Sequence, residues 1–370
     1  MTAEEFIEAC KDGRLDVVRT ALDAGMDANA SVPYDDGERQ VPIPALYFAA
    51  VGNHLDVVRL LLDRGANPND GESVFHAAEL NLRDCLELLV ARGADISNAC
   101  AAYGNTPLYF LSGYHPTVPN APTVALGMRW LLEHGADPNV TSGKDRATPL
   151  QQCAQNGWTE VVSMLLEHGA DPAQKRADGR TAYALAVRGG HREVAALLPA
   201  SELHPVDELI GACSRGDETA ARAVLAKHTG IIASFTHADR HTVSQTASSG
   251  NAAAIRTMKA VGFDLAWEST WAGTALHHAA WHGNVAMTRL LIELGAPINV
   301  RDRRFGSSPL GWAAHGSKNC RAADEDYLAI VRALLDAGAD RASSINRWNE
   351  PADKLGSEKV DAFLEAWWRC

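Results

Sequence analysis

Between residues 237 and 241 the chain places His237, Asp239, Arg240 and His241 within five positions. A histidine beside a carboxylate suits a general base with an orienting acid, or half of a metal site. Further on, His277, His278, His282 and His315 accompany an unusual density of tryptophan. Seven of the nine tryptophans, Trp267, Trp271, Trp281, Trp312, Trp348, Trp367 and Trp368, fall between residues 267 and 368. Indole rings carry large apolar area and anchor contacts, so the cluster reads either as a hot spot for a partner or as the wall of a small-ligand pocket. The run Arg301-Asp302-Arg303-Arg304 stands out in an acidic protein. Arg304 beside Phe305 suits pairing with a carboxylate or phosphate, whereas Arg301-Asp302 also fits ordinary loop chemistry. The His-x-Asp-x-His spacing is no strong metal signature. No nucleophile elbow, phosphate-binding glycine loop or zinc-protease motif occurs. No metal or cofactor is expected.

The elements that must position these residues come from an ordinary soluble composition. The chain has 370 residues, 46% of them hydrophobic and 22% charged. Its net charge of -12 argues against a general nucleic-acid binder, which needs a basic footprint. No run of about 18 apolar residues is present to span a membrane. The first ten residues carry Glu4, Glu5 and Glu8 and do not read as a signal peptide. Seven scattered cysteines with no Cys-x-x-Cys pair suggest reduced thiols and a cytoplasmic location. Most lie in apolar runs beside alanine and read as small buried hydrophobes.

Self-similarity organises the rest. Leu60-Leu61-Leu62-Asp63-Arg64-Gly65-Ala66-Asn67-Pro68-Asn69 returns at 131–139 and 165–172, and in looser form at 22–29, 291–299 and 334–340. A second phrase precedes most copies: Thr106-Pro107-Leu108, Thr148-Pro149-Leu150, Thr181-Ala182-Tyr183, Thr274-Ala275-Leu276 and Ser308-Pro309-Leu310. Thr or Ser caps a helix and Pro fits its first turn. Paired alanines such as Ala49-Ala50 and Ala279-Ala280 then allow close helix contact. A Gly or Asn breaks the chain, and a longer amphipathic helix ends at a glycine suited to a left-handed cap. The unit is a helix-turn-helix-loop of about 33 residues. Insertions near 31–38, 114–122 and 317–325 break the phase.

This pattern resembles the ankyrin repeat, clearly over 40–200 and 267–345 and weakly over 201–266. The resemblance implies an all-α solenoid of about ten units with a C-terminal capping helix. It divides the chain into a regular array at 1–200, degenerate units at 201–266, and repeats plus cap at 267–370. By alignment His241 takes the place of the capping Thr. In this family a groove is lined by fingers and by the positions after each Ala-Ala pair. Carried over, these give Trp281, His282 and His315, with Trp271, Arg304 and Phe305 from fingers. The first half contributes Glu79, Tyr103, Tyr114 and Arg188 among others. His76 and His277 match the family's structural histidine, which braces loops. His134 and His168 precede a cap glycine, where histidine suits the helix dipole.

The tail helix, 357–368, shows apolar Val360, Phe363, Leu364 and Trp367 at helical spacing, with Trp368 beside the stripe and exposed. It reads as a cap on a monomer, the rival being a weak dimer through Trp367 and Trp368. The expected function is a protein-protein interaction module with a Trp/His-rich hot spot, its partner unidentified. The alternative is an enzyme or small-ligand binder using His237, Asp239, His241, His282 and His315.

Overall fold

A computed structural model describes residues 1–35, 40–100, 104–269, 272–320 and 322–369. The chain divides into two compact units, Met1–Glu202 and Leu203–Cys370. The first unit stacks helix pairs α1 (Ala3–Lys11) and α2 (Leu15–Asp23), α3 (Ala45–Val51) and α4 (Leu55–Asp63), α5 (Ser73–Glu79) and α6 (Arg83–Ala91), α7 (Pro107–Ser112) and α8 (Ala121–Glu133), α9 (Pro149–Asn156) and α10 (Thr159–Glu167), and α11 (Ala182–Gly189) and α12 (Arg192–Leu197). The second unit holds α13 (Pro205–Ser214) and α14 (Glu218–Lys227), α15 (His237–Ser248) and α16 (Ala252–Ala260), α17 (Ala275–Trp281) and α18 (Val285–Glu293), and α19 (Pro309–Asn319) and α20 (Asp324–Asp336). A short α21 (Arg341–Ser344) and the final α22 (Glu358–Arg369) follow. Within each unit the helix pairs stack on one another, as the repeat phrases require.

One insertion departs from all-helix architecture. At the first insertion β1 (Ser31–Asp35) and β2 (Gln40–Pro44) pair antiparallel, with Tyr34 opposite Val41. Pro33 and Pro42 face each other across the pair, which suits a ribbon that no further strand joins among the described residues. The insertion at 317–325 is partly absorbed by helix, since α19 runs on to Asn319.

Local chemistry explains the units. Thr148 and Gln151 form a reciprocal capping box at α9, and Thr106 accepts from the Tyr109 amide at α7. Ala49, Ala50, Ala77, Ala78, Ala279, Ala280, Ala313 and Ala314 are all fully buried, so the first helices of neighbouring pairs meet on their smallest side chains. The cap glycines take the left-handed conformation, with φ of 92° at Gly135 and 94° at Gly338. At the next loop an asparagine locks the copies together. The Asn139 side chain donates to the carbonyl of Gly169 (3.0 Å) and accepts from the amide of Asp171 (2.7 Å). Asn29, Asn69 and Asn299 repeat this bridge.

A second tie was not expressed in the repeat phrases. At or near the start of the second helix, a polar side chain reaches a carbonyl in the preceding pair: His54 to Lys11 (2.8 Å), His191 to Gln155 (3.1 Å), Asn251 to Ser214 (2.9 Å) and Tyr327 to Trp281 (2.7 Å). Three residue types do one job, which hides it from sequence comparison.

Each unit has its own core. In the second, residues from α13 through α22 share one cluster, so the irregular pairs α13–α16 pack with the clear repeats. The cysteines Cys10, Cys85, Cys100, Cys153 and Cys213 are buried and unpaired, and burial pushes the Cys10, Cys85 and Cys213 thiols up to about 12. α22 packs on α20 and α19 as a cap, burying Val360 and Leu364 completely. Its tryptophans are the reverse of the sequence expectation: Trp368 packs against the core, while Trp367 is 40% exposed. Residues 360, 364 and 368 form as good a helical stripe as 360, 364 and 367, and the neighbouring surface decides between them.

Candidate functional site

The aromatic surface of the second unit is built around Trp312 on α19. Its indole Nε1 donates to Asp302 Oδ2 (3.0 Å), and the side chain is 8% exposed. The same carboxylate accepts from the amides of Arg304 (2.8 Å), Phe305 (2.6 Å) and Ser307 (3.0 Å). Burial works against the Asp302 charge, but these donors together hold its carboxyl below the usual range. Asp302 thus folds the finger between α18 and α19 and fastens it to the indole. Around that indole stand His277 (5.2 Å), His278 (5.5 Å), Phe305 (5.7 Å) and Trp281 (5.9 Å), all edge to face. Edge-to-face rings favour each other electrostatically and make a stiff platform.

Gly316 explains how α17 and α19 come so close. A Cβ there would lie 2.5 Å from the Trp281 carbonyl oxygen. His277 completes the frame. Its Nδ1 accepts from Thr274, its Nε2 donates to the Ser307 carbonyl (3.0 Å), and burial pushes the imidazole down to about 4. It is therefore the loop-bracing histidine expected from the repeat.

Of the residues singled out in the sequence, Trp281, Phe305 and His315 come together here. His315 is exposed and meets the Trp281 ring at 5.3 Å. Arg304 lies over Phe305 at 5.4 Å. His282 is exposed at the end of α17, and among the described residues it makes no ring contact with His315. Trp271 and Tyr103 lie outside the described residues. Arg347 was not picked out, and Trp312 and Trp348 were named only as members of the tryptophan cluster. Trp348 is 61% exposed and lies 6.3 Å from Phe305, and the Arg347 guanidinium stacks on it at 5.9 Å. The excess of tryptophan was the only signal for the two indoles.

The 237–241 segment needs correction. It is not a loop before a helix but the first turns of α15, capped by Thr236 rather than His241. Asp239 closes the capping box: its Oδ2 accepts from the Thr236 amide (2.9 Å) and hydroxyl (2.6 Å). That oxygen organises a helix start, not a base. His237 is exposed and His241 half-buried one turn later. Burial, reinforced by positive charge on His278 and His237, pushes His241 down to about 4. His278 itself bonds to Ser269 (2.7 Å) and the Ala272 carbonyl (3.0 Å). Among the described residues no group of three His, Cys, Asp or Glu is arranged to hold a metal ion.

In the first unit, Tyr114 belongs to a different cluster. Its hydroxyl donates to Glu79 Oε1 (2.6 Å), and Glu79 Oε2 takes His76 Nδ1 (2.8 Å). Glu72 approaches the other ring nitrogen at 3.4 Å, and the rings of Tyr47 and Phe110 flank His76 at 5.1 and 5.5 Å. His76 therefore braces two carboxylates, not the loop backbone expected of the family histidine. Burial opposes its charge, but Glu72 and Glu79 outweigh burial and raise it to about 9. Arg188 is half-buried at the last turn of α11. His134 and His168 behave as expected, bonding the last-turn carbonyls of Trp130 and Met164. No helix among the described residues is long and apolar enough to cross a membrane.

Comparison with known proteins agrees with this architecture. The family profile described as "Ankyrin repeats (3 copies)" matches residues 6–100, 125–207 and 243–345. Similar relatives include the protein named "Ankyrin repeat, SAM and basic leucine zipper domain-containing protein 1" from Neofelis nebulosa, 32% identical over 124 residues, covering 31% of this chain and 25% of the relative. Its counterparts from Ovis aries and Oryctolagus cuniculus are 32% and 33% identical over the same shares. The match thus spans about a quarter of the length of those relatives.

Proposed function

Because the chain belongs to the ankyrin-repeat family, we propose that it is a protein-interaction module whose partner seats on the aromatic surface of the second unit. Ankyrin repeats mediate protein contacts in general, and their framework leaves the partner's identity to surface residues. The observation that carries the reading is the combination of a buried, hydrogen-bonded Trp312 on α19 with outer aromatic groups at Trp281 on α17, His315 on α19, Phe305 in the finger and Trp348 in the loop after α21. Rigid aromatic anchors lose little entropy on binding and dominate interface energies. The site is built to present rings, with its one central carboxylate committed to holding the finger.

The catalytic alternative loses a specific support. Asp239 is engaged in helix capping, and among the described residues no ring contact joins the exposed His282 and His315. The reading is tested by alanine substitution at Trp281, Phe305 and Trp348 in the full chain. Each is expected to weaken partner binding by about tenfold or more, a hot-spot effect. Alanine at Tyr114 or Arg188 should leave it within about twofold. The opposite pattern would place the partner on the first unit.

A further inference from the structure

We propose that the finger carrying Arg304 and Phe305 and the loop carrying Arg347 and Trp348 form one dock for an acidic peptide segment bearing a hydrophobic anchor. This rests on the interaction reading above and names the chemistry of its partner.

The two segments are joined by backbone and guanidinium bonds. The Arg347 amide donates to the Phe305 carbonyl (2.8 Å), and its guanidinium donates to the Arg303 carbonyl (3.1 Å). Arg301 donates to the carbonyls of Gly306 (2.5 Å) and Ile345 (2.6 Å). Three of these bonds tie the loop to the finger. Phe305 and Trp348 tilt 39° to each other, with a guanidinium at each end, Arg304 over Phe305 and Arg347 over Trp348. A guanidinium stacked on a ring keeps in-plane N–H donors available for a carboxylate fork. The ring pair between them offers apolar area for one anchoring side chain.

Charge favours an acidic occupant. Arg301, Arg303, Arg304 and Arg347 gather on this edge, although the chain as a whole carries -12. Among the described residues, only Arg303 has a carboxylate partner, Glu268 at 2.6 Å. Of the other nearby acids, Asp302 is buried and committed to amides and Trp312, and Glu350 takes the Asn346 side chain at 2.9 Å. The whole-chain charge thus misleads about the site. Single-stranded nucleic acid also uses aromatic and arginine contacts, but it needs a basic track along several nucleotides. Arg304 and Arg347, exposed and without a carboxylate partner among the described residues, suit a short run of carboxylates better.

The test pans a random peptide display library on the full chain and measures the enriched peptides by fluorescence anisotropy. The expected peptides are net negative, with an aromatic or aliphatic residue among Asp and Glu. Arg304→Glu with Arg347→Glu should weaken them by about tenfold or more, and added salt should weaken them further. Replacing the acids of a selected peptide by lysine should restore binding to that variant and abolish it on the wild type. Both arginines are exposed, and an unchanged melting temperature excludes a folding defect. Enrichment of neutral or basic peptides, or acidic peptides indifferent to the charge reversal, overturns the proposal. If those peptides are still lost on Trp281→Ala, the interaction surface stands and only its acidic chemistry fails. Insensitivity to both substitutions removes both readings. Tighter binding of an oligothymidylate than of any peptide makes the edge a nucleic-acid site and overturns the proposal.

Discussion

His76 and Asp302 hold their charges in opposite ways. His76 sits between Glu72 and Glu79 and titrates near 9 in the fold, above the ordinary 6.5. A raised pKa means its stabilisation is complete below pH 6.5 and is lost as pH rises through about 9. His76→Gln should therefore lower the melting temperature most at mildly acidic pH, by the equivalent of about 2 kcal/mol, and little near pH 10. Melting curves of both proteins across that range check the sign; a gap that widens with pH contradicts the ion-pair account. Asp302 works by collecting donors. Asp302→Ala leaves three finger amides and the Trp312 indole without their acceptor, at a cost of about 2–4 kcal/mol. Trp312→Phe removes one donor and should cost about 1–2 kcal/mol. Both should raise the partner's dissociation constant, because both loosen Phe305.

Close backbone approach sets the geometry at the level of helices. Gly127 of α8 lies against α5, where an added Cβ would fall 1.8 Å from the Ala78 carbonyl oxygen. Gly135, at the end of the same helix, has open space around it but a φ of 92°. Gly135→Ala should cost about 1 kcal/mol from backbone strain alone. Gly127→Ala forces α8 off α5 and should cost about 3 kcal/mol or more. Urea denaturation of the two variants compares them directly. Much at this scale was legible in the sequence, because caps are short-range: Thr148 as a cap and the left-handed glycines follow from neighbours in the chain, and the bracing His277 from the repeat it resembles. What escaped depends on distant partners. His76 is the exception: Glu72 four residues before it and Glu79 three after it set it apart from His277, a local signal that was passed over, and only Tyr114 arrives from afar. The capping of α15 by Thr236 was missed because that helix starts earlier than the repeat phase predicts. Trp348 was visible only as one tryptophan among several, since its link to Phe305 runs through the Arg347 backbone.

The whole chain is two stacks, each with its own core, and stability in such stacks is a sum of units and their nearest-neighbour contacts. Removing residues 357–370 strips Val360 and Leu364 from the second core, about 1.5–3 kcal/mol for each buried side chain. Calorimetry should then show a lowered transition for the second unit and an unchanged one for the first. Loss of both together would contradict separate cores. The central claim is that the aromatic face of the second unit receives the partner. Its most direct test installs a photo-crosslinking amino acid singly at His315, Trp348, Tyr114 and Arg188 in the full chain and maps the products formed with a bound partner. The account predicts crosslinks from His315 and Trp348 and none from Tyr114 or Arg188. Crosslinks confined to Tyr114 and Arg188 would contradict it.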